Sequence, residues 1–406
     1  MNLQQFAPRA CPVCQATAGQ AVYRQEFTQY SEGTLMQGFD LTICSVCGAA
    51  YADRIPSQTE FDRYYKEMSK YEYSDRNGVQ TETDITRFKE IAALLEPSLK
   101  TDDAILDIGC ATGGLLAEFK RRGYHHVAGV DPSPQCVARM RQLYDIHGEV
   151  KVIGELAAEA PVANMAILIG VLEHIRDVDM AVKAVKACLK PLGGLYVEVP
   201  DATRYDRHFS APYQFFSMEH VNYFSPASLR NLMARHGLVE QFSNRLIRRL
   251  SPQAIEPAVG ALFRLEDKST SLWVPSPDME TAPALDRYLE KSRALDKAIC
   301  RKIDTLVESR RPIAVWGVGT HTLRLLKTSR LKDANIAAFI DSNPHYQGKT
   351  LSGIAIIKAT TALAPNVEIL ISSQTAEDEI LENARRIHGS TRIIHRLYSD
   401  IAHGSV

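Results

Sequence analysis

The stretch LDIGCATGG (106–114) sets an acid two residues before a glycine, in the spacing D-x-G-x-[GA]-x-G. Asp107 opens it, Gly109 and Gly113 let main chain approach a ligand where side chains would collide, and Ala111 fills the middle small position. Twenty-four residues after Asp107, Asp131 ends the next apolar run in GVDPS, where a carboxylate can accept both hydroxyls of a ribose. A dinucleotide fingerprint has G-x-G-x-x-G but no acid before its first glycine, and here that acid can hold the ammonium of an amino-acid moiety. A second chemistry lies in CPVC (Cys11, Cys14) and CSVCG (Cys44, Cys47), two tight C-x-x-C turns able to share one tetrahedral Zn²⁺. Proton transfer has three candidate clusters: Glu173–His174 in VLEH, Glu219–His220 in MEHVNYF, and the tyrosines of YEYSDRNG (71–78).

The elements that position these groups follow from periodicity. Between the cysteine pairs, residues 21–44 alternate and turn as the hairpin of a zinc ribbon does. From about residue 81 helices and strands alternate. TDITRFKEIAALLEP sets Ile85, Phe88, Ala92 and Leu95 on one helical face and stops at Pro97. Strands are expected at HVAGVD (126–131), VKVI (150–153), MAILIG (165–170) and LYVEV (195–199), with a helix at 179–190. This βαβ alternation implies a mostly parallel, doubly wound sheet. In YFSPASL, Ser225 is placed to cap a helix, Pro226 suits its first turn, and Gly237 stops it. Prolines cluster after residue 250, a long amphipathic helix covers 285–309, and a second α/β unit begins after Arg310.

Composition bounds what such a chain can be. At 406 residues it is too long for one ordinary core. With 45% hydrophobic and 23% charged residues it has globular composition, and a formal charge of −1 supplies no field toward nucleic acid or an anionic membrane. No apolar run approaches the ~20 residues that span a bilayer, and the first residues lack the apolar core of a signal peptide. The expectation is a cytoplasmic enzyme with a small-molecule partner and reduced cysteines. A Cys₄ shell is closed, so its zinc would be structural.

The glycine turn and the second-strand acid resemble motif I and its partner in class I S-adenosylmethionine-dependent methyltransferases. Glu155 lies where such enzymes approach adenine, a place an apolar wall fills equally well. Glu173 and His174 follow the fourth strand, at the carboxyl edge where open α/β sheets bind ligands, and suit either positioning or proton transfer. The whole arrangement, CxxC…CxxC, a central methyltransferase, the E-H-x-x-Y-F-S segment and a C-terminal Rossmann-like unit, resembles the sugar C-methyltransferase family.

That resemblance implies domains at 1–70 (zinc-binding), 71–250 (methyltransferase) and 311–406 (Rossmann-like), with a linker and long helix over 251–310. It implies S-adenosylmethionine as donor, structural Zn²⁺, and a nucleotide-linked keto-deoxysugar as acceptor. His220 carries over as the base with Glu219 beside it, and Tyr73, with Tyr71 as runner-up, as the tyrosine at the sugar. The sequence departs from the family in Ser217–Met218, where a tyrosine or acid is common, and in GVGTHT, where G-x-G-A is usual. VWGVGTHT…FIDS otherwise keeps a partial dinucleotide pattern, with Thr322 at the third-glycine position and Asp341 ending the next strand. The expectation there is a unit that closes over the substrate, with His321 near that ligand or at an exposed helix start. An O- or N-methyltransferase, or a zinc-ribbon binding protein with a vestigial methyltransferase fold, are the competing readings.

Overall fold

The computed structural model describes residues 6–30, 35–67, 80–158, 162–209, 211–249, 255–266 and 273–398. Tyr71 and Tyr73 lie outside the described residues.

The central sheet has seven strands in the spatial order Leu238–Arg249, Ile255–Leu265, Leu189–Pro200, Ala163–Ile169, Ile105–Ile108, Val127–Asp131 and His147–Val150. Numbered along the chain this is 6-7-5-4-1-2-3. The last-formed strand, Ile255–Leu265, runs against both its neighbours, and the pairs from Leu189–Pro200 through His147–Val150 are parallel. Chain direction of growth reverses between Ile105–Ile108 and Ala163–Ile169, which makes their carboxyl ends the ligand crevice. Ile255–Leu265 is a full member of this sheet, so the central unit continues past residue 250. Its buried run EPAVGALF needs sheet on both edges, which a linker would not supply.

The third strand forms earlier than expected, at His147–Val150. Asp145 takes a left-handed conformation (φ 52°) and ends the preceding helix, so the chain enters the sheet at once; residues 153–158 wind into a 3₁₀ turn instead. The helix Glu82–Leu95 buries Ile91, Ala92 and Leu95, while Ile85 lies at its exposed start. Thr81 and Asp84 form a capping box there.

The N-terminal strands Gly19–Glu26, Gly38–Cys44 and Ala50–Asp53 make an antiparallel sheet whose fourth strand is Asn222–Tyr223. A piece of chain from beyond the fifth central strand thus completes the cysteine-bearing sheet. The C-terminal sheet runs Thr350–Leu351, Ile354–Ile357, Ile336–Ile340, Ile313–Trp316, Glu368–Ile371 and Ile394–Arg396, parallel but for the first pair. The helix Thr281–Ser309 joins the layers. Its Tyr288, Leu289, Ile299 and Ile303 share one core with Phe39 and Phe61 of the N-terminal unit, Phe216, and Val315 and Phe339 of the C-terminal sheet. The two outer units therefore have a common core.

Candidate functional site

The central glycine turn presents main chain to the crevice. Gly109 N–H bonds the Val130 carbonyl at 2.7 Å, locking the turn to the neighbouring strand. Gly113 has φ +79°, and a Cβ there would sit 2.3 Å from Met140 Cγ, so only glycine fits. The Asp131 carboxylate accepts the Ala111 N–H and the Ser133 N–H, each at 2.9 Å. A carboxylate at this strand end is the group that can accept a vicinal diol. Asp107 is buried, and its carboxyl is pushed up to about 7, first by burial and then by the charge of Asp131, with Arg87 pulling it back. A cation placed beside it would relieve that cost. Glu155 is half exposed; its carboxylate caps the Val152 N–H at 2.8 Å and faces Lys66 at 3.9 Å.

Across the crevice, the turn Leu172–His174 follows the fourth strand. His174 Nδ1 lies 3.1 Å from the Glu219 main-chain carbonyl and 2.9 Å from the Tyr65 hydroxyl. The carbonyl oxygen can only accept, which favours the form with the proton on Nδ1, while the Tyr65 hydroxyl can either donate or accept there. The His220 ring stands edge-on to His174 with centroids 4.8 Å apart. One ligating atom from each of Glu173, His174 and His220 falls within 4.8 Å of the others. Glu173 is buried and faces Arg248 at 3.6 Å, a guanidinium that also reaches Glu198 and Glu256 at 3.4 Å.

Glu219 gives its carbonyl to His174, while its carboxylate takes the Tyr64 hydroxyl at 3.0 Å. Burial, then that carboxylate, raises the Tyr64 phenol far above its ordinary range. Ser217 has a role that sequence reasoning missed: its Oγ accepts the N–H of Glu219 at 3.3 Å and of His220 at 3.1 Å, forming the tight turn that presents the pair. Tyr64 and Tyr65 were missed too. They stand three and four residues after Phe61, which is fully buried, so the helix Gln58–Glu67 turns all three to one side. The rings around the pair, Phe215, Phe216, Tyr223 and Phe224, are buried core. Ser225 caps the helix Pro226–Arg235 as expected.

The four cysteines converge. Cys11 Sγ lies 3.6 Å from Cys47 Sγ, and Cys14 Sγ lies 3.5 Å from Cys44 Sγ. A tetrahedral zinc with Zn–S near 2.3 Å sets its sulfurs about 3.8 Å apart, so the donor set fits with little movement. The Val46 N–H already points at Cys44 Sγ. The Cys47 thiol's hydrogen bond pulls Cys11 down while the same contact pushes Cys47 up, so one thiolate of that pair opposes the other.

In the C-terminal unit a cavity of about 1000 Å³ opens at the carboxyl ends of Ile313–Trp316 and Glu368–Ile371, where strand order again reverses. Gly317, His321, Asp341, Arg207, Arg386 and Tyr398 are among its walls. His321 is the second residue of the helix Thr320–Thr328; its buried Nε2 has no hydrogen-bond partner among the described residues, and burial holds the imidazole neutral, well below its ordinary pKa. The exposed-start reading of His321 is therefore replaced by a cavity wall. Thr322, at the third-glycine position, is buried and donates to the Gly317 carbonyl at 2.6 Å.

A family model described as "Methyltransferase domain" matches residues 81–240, the segment that carries the glycine turn, Asp131 and both imidazoles. Those residues form a methyltransferase domain of class I, Rossmann-like fold, and the protein is an S-adenosylmethionine-dependent methyltransferase. This methyltransferase is 26% identical to the C-methyltransferase NovU of Streptomyces niveus over 71% of its own chain and 72% of that one. It is 36% identical to the ubiquinone biosynthesis O-methyltransferase of Xylella fastidiosa, over 24% of its own chain and 42% of that one. Among solved structures it is similar to the 1,6-didemethyltoxoflavin-N1-methyltransferase of Burkholderia thailandensis, at 20% identity and TM-score 0.42, over 54% of this chain and 96% of that one. No helix among the described residues is long and apolar enough to cross a membrane.

Proposed function

We propose that the protein methylates carbon: it takes a proton from the carbon beside a ketone of a nucleotide-linked deoxysugar and lets the resulting enolate attack the methyl group. The observation that carries this reading is the meeting of His174 and His220 at the carboxyl edge of the fourth strand, with rings 4.8 Å apart. The likeness to the C-methyltransferase NovU supports it because it extends over 71% of the chain, whereas the higher identity to O-methyltransferases is confined to 24%.

S-adenosylmethionine supplies an electrophilic methyl carbon on a sulfonium. Asp131 would hold its ribose, Asp107 its ammonium, and the Gly109–Gly113 turn its main-chain side, with Glu155 at the adenine end. His220 takes the α-proton, and the electron pair left on carbon forms the new C–C bond as the C–S bond breaks. Imidazole suits this step because its ordinary pKa is near neutral. Glu219 and Tyr64 fix the loop beside it, and a tyrosine, Tyr73 in this reading, steadies the oxyanion. His174 stands edge-on to His220, its ring centroid 4.8 Å away, and holds the Glu219 carbonyl through Nδ1. Cys11, Cys14, Cys44 and Cys47 hold Zn²⁺ as a structural ion in a cytoplasmic, reducing setting. The C-terminal cavity, with Arg207, Arg324 and Arg386 and a helix start, suits the anionic nucleotide end of the acceptor.

The test incubates the enzyme with S-adenosylmethionine and a panel of thymidine- and uridine-diphosphate keto-deoxysugars in deuterated water. The expected product gains one methyl on carbon, and unreacted acceptor exchanges its α-proton. His220→Ala is expected to lower kcat about 10²–10⁴-fold, the range of a general base. Methyl found on oxygen or nitrogen, or His220→Ala at full rate, overturns the reading.

A further inference from the structure

The segment carrying Glu219 and His220 is built into the cysteine-bearing sheet. Asn222–Tyr223 is its fourth strand, and the Ala52 N–H bonds the Val221 carbonyl at 2.9 Å. One buried side chain gathers the pieces around it. Arg9, two residues before Cys11, donates through Nε to the Ala52 carbonyl at 2.8 Å and through Nη1 to the Arg176 carbonyl at 2.7 Å. Its Nη2 donates to the Val221 carbonyl at 2.7 Å and to Asn222 Oδ1 at 3.0 Å. Asn222 passes the constraint on, donating to the Leu172 and Ile175 carbonyls at 2.8 and 2.7 Å. Those two carbonyls bracket the turn that carries His174. The Val221 N–H closes the circuit on the Glu173 carbonyl at 2.8 Å.

We infer that Arg9 is a positioning residue of the methyl-transfer site, through which the cysteine-bearing domain sets the mutual geometry of His174 and His220. The chemistry favours this over a generic core contact. A buried guanidinium is costly, and here its donors go to main-chain carbonyls and an amide of three separate segments. A cheaper apolar residue would fill the space but could not fix three strands of chain at once. Both imidazoles sit within two residues of a main-chain group that this network holds. The Nδ1–H form of His174 depends on the Glu219 carbonyl staying in place, and that carbonyl lies two residues from Val221.

The inference rests on the proposed proton-transfer role of the two histidines, and three measurements separate the failures. Arg9→Lys keeps a cation but loses the planar fork. Its kcat is expected to fall about 10²-fold, the scale of a misplacement near 1 Å, with S-adenosylhomocysteine affinity within about twofold of the parent and zinc content unchanged. In ¹⁵N-histidine-labelled protein, with His174→Gln for assignment, the His174 signals are expected to leave the Nδ1–H pattern in Arg9→Lys. Should Arg9 variants not be recovered folded, Asn222→Ala cuts the two bonds to the His174 turn with Arg9 in place and should give the same split. Unchanged kcat and unchanged His174 signals in these variants overturn the inference while leaving the base assignment standing. Loss of S-adenosylhomocysteine binding in step with kcat overturns it also, reducing Arg9 to a fold contact. A fully active His220→Ala instead removes the proton-transfer reading itself.

Discussion

The protein holds two glycine turns built to one plan. In the central unit Gly109 N–H bonds the Val130 carbonyl at 2.7 Å; in the C-terminal unit Gly317 N–H bonds the Ile340 carbonyl at 2.9 Å. Asp131 accepts the Ala111 and Ser133 N–H groups at 2.9 Å, and Asp341 accepts those of Val318 and Asn343 at 3.0 and 2.8 Å. The differences are chemical. Two residues before the first glycine stands Asp107 in one turn and Val315 in the other. The central turn spends Cys110–Thr112 between its glycines, the C-terminal turn only Val318, and Thr322 then ties that turn shut through the Gly317 carbonyl. Shared main-chain geometry thus fixes where a ligand can lie, and the side chain before the glycine decides its charge. Val315 offers no acid for an ammonium, and the wall of the C-terminal crevice instead sets Arg207, Arg324 and Arg386 among Glu256, Asp341 and Glu379.

The sharpest separation should come from the two strand-final acids. Asp131→Ala is expected to weaken S-adenosylhomocysteine binding by about 10²-fold or more, the worth of two charge-assisted hydrogen bonds. Asp341→Ala should leave that affinity within about twofold, as expected for a distant site, and raise the acceptor KM instead. Isothermal calorimetry and acceptor kinetics read both. Equal losses of S-adenosylhomocysteine affinity would mean that the two crevices share one ligand.

The glycines provide a second contrast. Gly113→Ala puts a Cβ 2.3 Å from Met140 Cγ at φ +79°, whereas Gly319, at φ −66°, has nothing within 4 Å of its would-be Cβ. Denaturant unfolding should show the first variant losing about 2–4 kcal/mol, from left-handed backbone and overpacking together. The second should change by less than about 1 kcal/mol. Similar losses would mean that the shorter C-terminal turn is as tightly specified as the central one.

How much of this was legible in the residues follows the range of the interactions. The central turn, Asp131, the cysteine pairs and the Ser225 cap are local patterns, and the structure forms each turn where the spacing set it. Interactions between distant segments were not legible. Nothing near residue 222 signals that two residues there complete a sheet begun at residue 19, because a two-residue strand has no periodicity. Tyr64 and Tyr65 meet Glu219 and His174 across more than a hundred residues, a pairing no local spacing encodes. Ile255–Leu265 read as linker because prolines flank it and its burial on both faces erases the alternation of a half-exposed strand. At Ser217 the family pattern suggests a missing acid, yet its hydroxyl accepts the N–H groups of Glu219 and His220 and turns the chain there.

The last contrast is one of pH dependence and concerns Asp107, the residue that makes the two turns unlike. Its carboxyl is raised to about 7, chiefly by burial and next by Asp131, above the ordinary 3.8. A raised folded-state pKa favours the protonated form, so its stabilisation is complete below about pH 4 and is lost as pH climbs to about 7, with a slope near 1.4 kcal/mol per unit. Unliganded Asp107→Asn should therefore match the parent in acid and exceed it in stability at about pH 8. Ligand binding should show the opposite trend, because an ammonium requires the carboxylate. S-adenosylhomocysteine affinity is expected to rise up to about tenfold per unit as pH approaches 7 and to level off above it, with a proton released on binding near pH 6. Calorimetry in two buffers of different ionisation enthalpy detects that proton, and Asp107→Asn should abolish both the release and the slope. Val315 gives the C-terminal turn no group to titrate at the equivalent place, so acceptor affinity should carry no limb from it. An S-adenosylhomocysteine affinity flat between about pH 5.5 and 8 would mean that the ammonium is held elsewhere, and the chemical contrast between the two turns would be lost.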